Sequence, residues 1–104
     1  MQRIACRFKL KHGMQQEYRQ RHNEIWPEMK ALMHQAGIRN YSIWNACDDL
    51  FGYFEIDDYV QCLELLSKSE VKKKWDEYMS DLITYELNPE TGKVENMELM
   101  FLFP

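Results

Sequence analysis

Arg39-Asn40-Tyr41-Ser42-Ile43-Trp44-Asn45-Ala46-Cys47-Asp48-Asp49-Leu50-Phe51-Gly52-Tyr53-Phe54-Glu55-Ile56 lies at the centre of this 104-residue chain and decides its fold. Residues 39–45 and 50–56 read as two strands, with the aromatic and β-branched residues that suit a pleated, half-buried surface. Asn45-Ala46-Cys47-Asp48-Asp49 carries turn chemistry between them, so the two are predicted to form a hairpin. On the first strand Tyr41 and Ile43 share one face, and Ser42 and Trp44 the other. Glu55 reads as a cross-sheet partner of Arg3 or Arg7, with a buried carboxylate as the alternative.

On the N-terminal side of this hairpin, Ile4, Cys6, Phe8 and Leu10 alternate with Arg3, Ala5, Arg7 and Lys9, the pattern of a half-buried strand that Gly13 ends. A helix is predicted from about Met14 towards Asn23. Pro27 lacks the N–H a continuous helix needs and restricts Trp26 before it, so a break is expected at residues 23–26. A second helical piece then runs to about Ala36, with Gly37 as its stop. On the C-terminal side, Asp57-Asp58 caps a helix with the stripe Tyr59, Cys62, Leu63 and Leu66. Another helix follows from about Glu70, with Val71, Trp75, Tyr78, Met79 and Leu82 on one side. Residues 88–92 read as a loop. Residues 97–103 are apolar at nearly every position, which predicts a last strand buried on both faces. So short a chain has few elements to cover both, and a second subunit is expected to do so. The order is the ferredoxin-like split β-α-β-β-α-β of an α+β fold in a single domain, residues 1–104, with one sheet face open for pairing.

Composition narrows the function. A formal charge of −4 and a pI near 5.3 argue against nucleic acid or an anionic membrane as partner. Lys72-Lys73-Lys74 sits beside Asp76 and Glu77 and reads as a solvated helix face. The three cysteines have no paired spacing, which fits free thiols in a reducing compartment, and Cys6 and Cys62 fall at apolar positions. The first residues alternate charge with apolarity, unlike a signal or transit peptide, and no apolar run reaches the length of a membrane span. A cytoplasmic protein is expected.

The chemistry is carried by residues 18–29. Met14, Tyr18, Ile25, Met29, Leu32, Met33 and Ala36 form an apolar stripe, and His22 stands where the next apolar residue belongs. Tyr18 and His22 are four apart and share a helix face, with Trp26 able to wall the site. A histidine in a partly desolvated cleft can give or take a proton, although a core histidine held by a backbone carbonyl is an equal reading. Tyr41 and Trp75 are further candidates, each with core packing as the alternative. No metal-ligand spacing, phosphate loop or nucleophile elbow is present, so neither metal nor cofactor is expected. These residues describe an aromatic pocket centred on His22. Such a pocket suits a sugar, because rings cover its C–H face while polar groups reach its hydroxyls.

On those residues the chain closely resembles the L-rhamnose mutarotases, essentially end to end. The resemblance rests on YRQRHNEIWPEM at residues 18–29, NYSIW at 40–44, the W-x-x-Y-M-x-D of Trp75 to Asp81, and the terminal ELMFLFP. It implies a homodimer that interconverts the α and β anomers of L-rhamnose without metal or coenzyme. It further implies that His22 is the proton donor and that Tyr18 and Tyr41 contact the sugar. The family typically carries two adjacent tryptophans where this chain has Trp75-Asp76; the first is retained and the second is not. A carboxylate in place of an indole removes a stacking surface and adds a hydrogen-bond acceptor, so a related hexose or 6-deoxyhexose is the alternative substrate. A cofactor-free monooxygenase and a non-catalytic sugar-binding dimer are the rival readings.

Overall fold

The computed structural model describes residues 1–85, 90 and 96–104. Its elements run β1 (Gln2–Leu10), α1 (Gln15–Asn23), α2 (Pro27–Gln35), β2 (Arg39–Ala46), β3 (Asp49–Ile56), α3 (Tyr59–Ser67), α4 (Glu70–Met79) and β4 (Ile83–Thr84). The strands form one antiparallel sheet in the order β2-β3-β1-β4. That is the split β-α-β-β-α-β arrangement, with each α segment broken into two helices.

The central hairpin is tighter than its sequence suggests. Cys47 and Asp48 alone make the turn, Cys47 at φ 53°, and the Asn45 side chain braces it by donating to the Cys47 and Asp49 carbonyls at 2.9 Å each. Near its other end β2 carries a bulge between Arg39 and Ser42. Asn40 sits there at φ 51°, a left-handed conformation that a short polar side chain tolerates. Register does the rest: Cα pairing sets Phe8 against Leu50, Cys6 against Gly52 and Ile4 against Phe54 on the helix-covered face. Arg3 pairs with Glu55 across the opposite face, where the Glu55 carboxylate accepts from Asn40 at 2.7 Å and Tyr53 at 2.8 Å.

The helices follow their local chemistry. α1 ends at Asn23, and Trp26 at φ −61°, ψ 139° turns the chain so that Pro27 opens α2, where its missing N–H costs nothing. Gly37 leaves α2 at φ 82°. Asp58 caps α3 through Gln61 N–H, and Ser69 caps α4 through Lys72 N–H. The helices bury Tyr18, Met29, Leu32, Trp75 and Met79 against Phe8, Leu10 and Leu50, with Leu82 fully enclosed.

The last strand differs from expectation. β4 is Ile83–Thr84, paired with Leu10 and Lys9, and residues 97–103 are not a strand. Asn96 bridges to Cys6 and Met97 N–H donates to the Ala5 carbonyl at 2.7 Å, after which the chain leaves the sheet. Met100, Phe101 and Phe103 stand 78–85% exposed. A segment apolar at nearly every position needs cover on both faces, and this chain leaves residues 97–103 exposed. The expected loop at 88–92 lies outside the described residues except for Glu90.

Candidate active site

The helix layer and the curled sheet enclose a cleft of ≈ 1070 Å³. Tyr18 and His22 enter it from α1, Trp75 and Asp76 from α4, and Tyr41 from β2. All five residues singled out in the sequence therefore line one cavity, although they span 59 positions of chain from 18 to 76.

His22 belongs to the last turn of α1 and is half-buried. Its Nδ1 lies 3.2 Å from the Tyr18 carbonyl oxygen. A carbonyl only accepts, so Nδ1 carries the hydrogen and Nε2 is the nitrogen left for a ligand. The ring lies against Tyr18, centroids 4.4 Å apart, and meets Trp75 edge-on at 5.5 Å and 86°. Burial lowers the imidazole pKa from its ordinary value, opposed by the backbone hydrogen bond. The group is therefore neutral near pH 7.

The phenols behave in the opposite sense. Desolvation pushes the Tyr18 and Tyr41 hydroxyls well above their usual range, and the Tyr85 hydroxyl to about 12. Each stays protonated as a neutral hydrogen-bonding group. Tyr41 keeps 42% of its surface open, yet its ring stacks on Phe54 at 5.4 Å and its hydroxyl reaches inward over Gly52. The bulge at Asn40 is what re-aims this side chain. A Cβ on Gly52 would stand 3.2 Å from Cys6 Sγ and 3.7 Å from Tyr41 Oη, so the absent side chain makes room for the cleft floor.

Trp75 is 6% exposed, a core residue that also lines the cleft. Trp26 does not line the cleft; it lies behind Trp75, centroids 5.1 Å apart. Asp76 accepts from Lys72 at the rim and leaves its carboxylate part-exposed, where it can read a hydroxyl. Sequence reasoning missed Gly52 as the residue beneath the Tyr41 hydroxyl, missed Tyr85 and Arg19 as cleft residues, and took Cys6 only as packing. An isolated glycine within a strand pattern was the available signal for the first; the others carry none. Among the described residues no three His, Cys, Asp or Glu side chains cluster as metal ligands, and no helix is long and apolar enough to cross a membrane.

The family model described as L-rhamnose mutarotase matches residues 3–103. The chain is 38% identical over 96 residues to the L-rhamnose mutarotase of Lachnoclostridium phytofermentans, covering 90% of this chain and 89% of that one. It is 34% identical over 104 residues to the L-rhamnose mutarotase of Listeria monocytogenes, covering 98% and 99%. Among solved structures, L-rhamnose mutarotase FA22100 from Formosa agariphila superposes with a TM-score of 0.75 at 29% identity, over 100% of this chain and 98% of that one. Tetracenomycin F2 cyclase from Streptomyces glaucescens superposes at 0.73 over the same shares with 13% identity, a likeness of fold alone.

Proposed function

The chain belongs to the L-rhamnose mutarotase family, and on that premise we propose that it interconverts the α and β anomers of L-rhamnose by acid–base-catalysed opening and closure of the sugar ring. The observation that carries the mechanism is the Nδ1 contact to the Tyr18 carbonyl, which leaves Nε2 available on an imidazole that burial keeps neutral, in a cleft of protonated phenols.

In this mechanism Nε2 takes the proton of the anomeric hydroxyl. The resulting imidazolium returns a proton to the ring oxygen as the C1–O bond breaks, leaving the open-chain aldehyde. Rotation about C1–C2 presents the other carbonyl face. Closure runs the same transfers in reverse, so His22 ends neutral and no proton is gained or lost. His22 is thus the donor to the ring oxygen, and its own conjugate base serves as the complementary group. Tyr18 and Tyr41 hold sugar oxygens by hydrogen bonds, Trp75 walls the apolar side, and Asp76 accepts from a hydroxyl at the rim. Acid–base help of this kind is worth ~10²–10⁴-fold, or about 3–5 kcal/mol. That suffices for a reaction that already proceeds in water.

Assembly and compartment belong to the same proposal. The sheet face away from the helices leaves Trp44 70% exposed, and the apolar tail leaves Met100, Phe101 and Phe103 exposed; a second copy of the chain is the cover proposed for both. Three free thiols fit the reducing cytoplasm.

Saturation-transfer NMR tests the reading. Exchange between L-rhamnose anomers should quicken when protein is added, and a panel of hexoses and 6-deoxyhexoses, with and without Asp76→Trp, should rank L-rhamnose first. Exchange at the buffer rate for every sugar would refute it.

A further inference from the structure

Arg21 precedes the catalytic candidate, and its side chain is 14% exposed. Nη1 donates to the Tyr78 carbonyl at 2.8 Å and to Asp81 Oδ1 at 2.8 Å, Nη2 to Asp81 Oδ2 at 3.1 Å, and Nε to Glu17 Oε1 at 2.9 Å. The guanidinium carbon also lies 4.6 Å from the Tyr78 ring centroid. The Asp81 contact is a two-bond fork, the geometry that fixes direction as well as distance. The Tyr78 contact satisfies a carbonyl in the last turn of α4, which has no later N–H of that helix to accept. Asp81 itself stands just past the C-terminus of α4, where the helix dipole disfavours a carboxylate. Its cation partner Arg21, the largest influence holding the carboxyl ionised, offsets that cost.

Trp75 and Tyr78 are three apart on α4 and pack together, centroids 5.7 Å apart. Arg21 lies on Tyr78, and its neighbour His22 meets Trp75 edge-on at 5.5 Å. Two consecutive residues of α1 thus straddle one aromatic pair of α4. The imidazole's own hydrogen bond is to Tyr18, a residue of the same helix, so it travels with α1. It sets the ring's tautomer, and it cannot set where the ring sits against α4. That placement depends on what ties the helices together.

We propose that Arg21 is a positioning residue for His22: by gripping Asp81 and Tyr78 it fixes α1 on the end of α4 and holds the imidazole edge-on to Trp75 within the cleft. The proposal rests on the reading of His22 as the proton-transfer group, and it assigns a task to the Asp81 that ends the W-x-x-Y-M-x-D segment.

The test uses Arg21→Ala and Asp81→Asn in the intact chain, with two readouts taken below each variant's unfolding temperature. One is the kcat and KM of L-rhamnose anomer exchange. The other is the set of His22 ring proton shifts, which feel the ring current of Trp75. Both variants should lose about tenfold or more in kcat with KM held, as expected for a misplaced reacting group, and their His22 ring shifts should move towards those of a free histidine. His22 ring shifts unmoved in a folded variant, whatever its rate, would overturn the proposal. Should Arg21→Ala fail to fold, Asp81→Asn decides alone, because it leaves the Glu17 and Tyr78 bonds of Arg21 intact. If the wild-type chain accelerates no sugar's exchange, the mutarotase reading fails; the ring shifts still judge the clamp.

Discussion

At the scale of single residues, the cleft is set by what is missing as much as by what is present. Gly52 has an ordinary strand neighbour on each side, yet the space over its Cα is shared by Cys6 Sγ and the Tyr41 hydroxyl. Gly52→Ala adds one methyl there. It is predicted to raise KM for the sugar severalfold by displacing the phenol, with kcat less affected because His22 lies on another element. The cost in stability should be roughly 1–3 kcal/mol, the range for overpacking. An unchanged KM, read from the same exchange kinetics, would show that Tyr41 does not need this floor. Sequence made His22 legible because a titratable side chain interrupts an apolar stripe. It left Gly52 illegible as a site residue, since a strand glycine reports close approach without saying of what. Trp26 was expected to wall the cleft; helical spacing puts it on the right side of the chain, and only the break before Pro27 swings it behind Trp75.

At the scale of elements, the broken helix is the feature that local sequence predicts best. Proline chemistry is local, so the break at residues 24–26 and the start of α2 could be placed before any tertiary contact was known. The contact that seats α1 on α4 could not, because Arg21 and Asp81 are 60 positions apart. That seam has a pH signature. Arg21 holds the Asp81 carboxyl below its usual range, and Arg39 does the same for Asp57. A carboxyl with a folded pKa below its unfolded one stabilises the fold above the unfolded value, and loses that contribution as pH falls through the folded value. The urea midpoint should therefore drop between pH 6 and pH 3 by more in wild type than in Asp81→Asn. Equal drops would mean that the pair contributes nothing through ionisation. The β2 bulge was equally hidden: residues 39–45 read as an uninterrupted strand, and the extra residue at Asn40 becomes visible only when β2 is laid against β3.

At the scale of the whole molecule, the split β-α-β-β-α-β order followed from the central hairpin and its flanking helices, while the closing strand did not follow from pattern. Residues 97–103 have a strand's apolar content, but pattern cannot say whether the cover for two faces comes from one chain, and the edge next to Lys9 and Leu10 is taken by Ile83–Thr84. If a second copy is the cover, light scattering should give twice the 12.6 kDa chain mass, and removal of residues 97–104 should halve it. A wild-type monomer at micromolar concentration would rule that out. The central claim concerns the imidazole, whose burial lowers its pKa below the ordinary 6.5. Neutral His22 is the active form, so exchange should be level at neutral pH and fall only as pH drops below 6.5. The deciding measurement is saturation transfer between L-rhamnose anomers across pH 5–8 for wild type and His22→Ala. The predicted result is a wild-type acceleration with its acid limb below 6.5 and exchange at the buffer rate in the variant. A variant that keeps the acceleration, or a wild-type rate that rises as pH falls through 6.5, would contradict it.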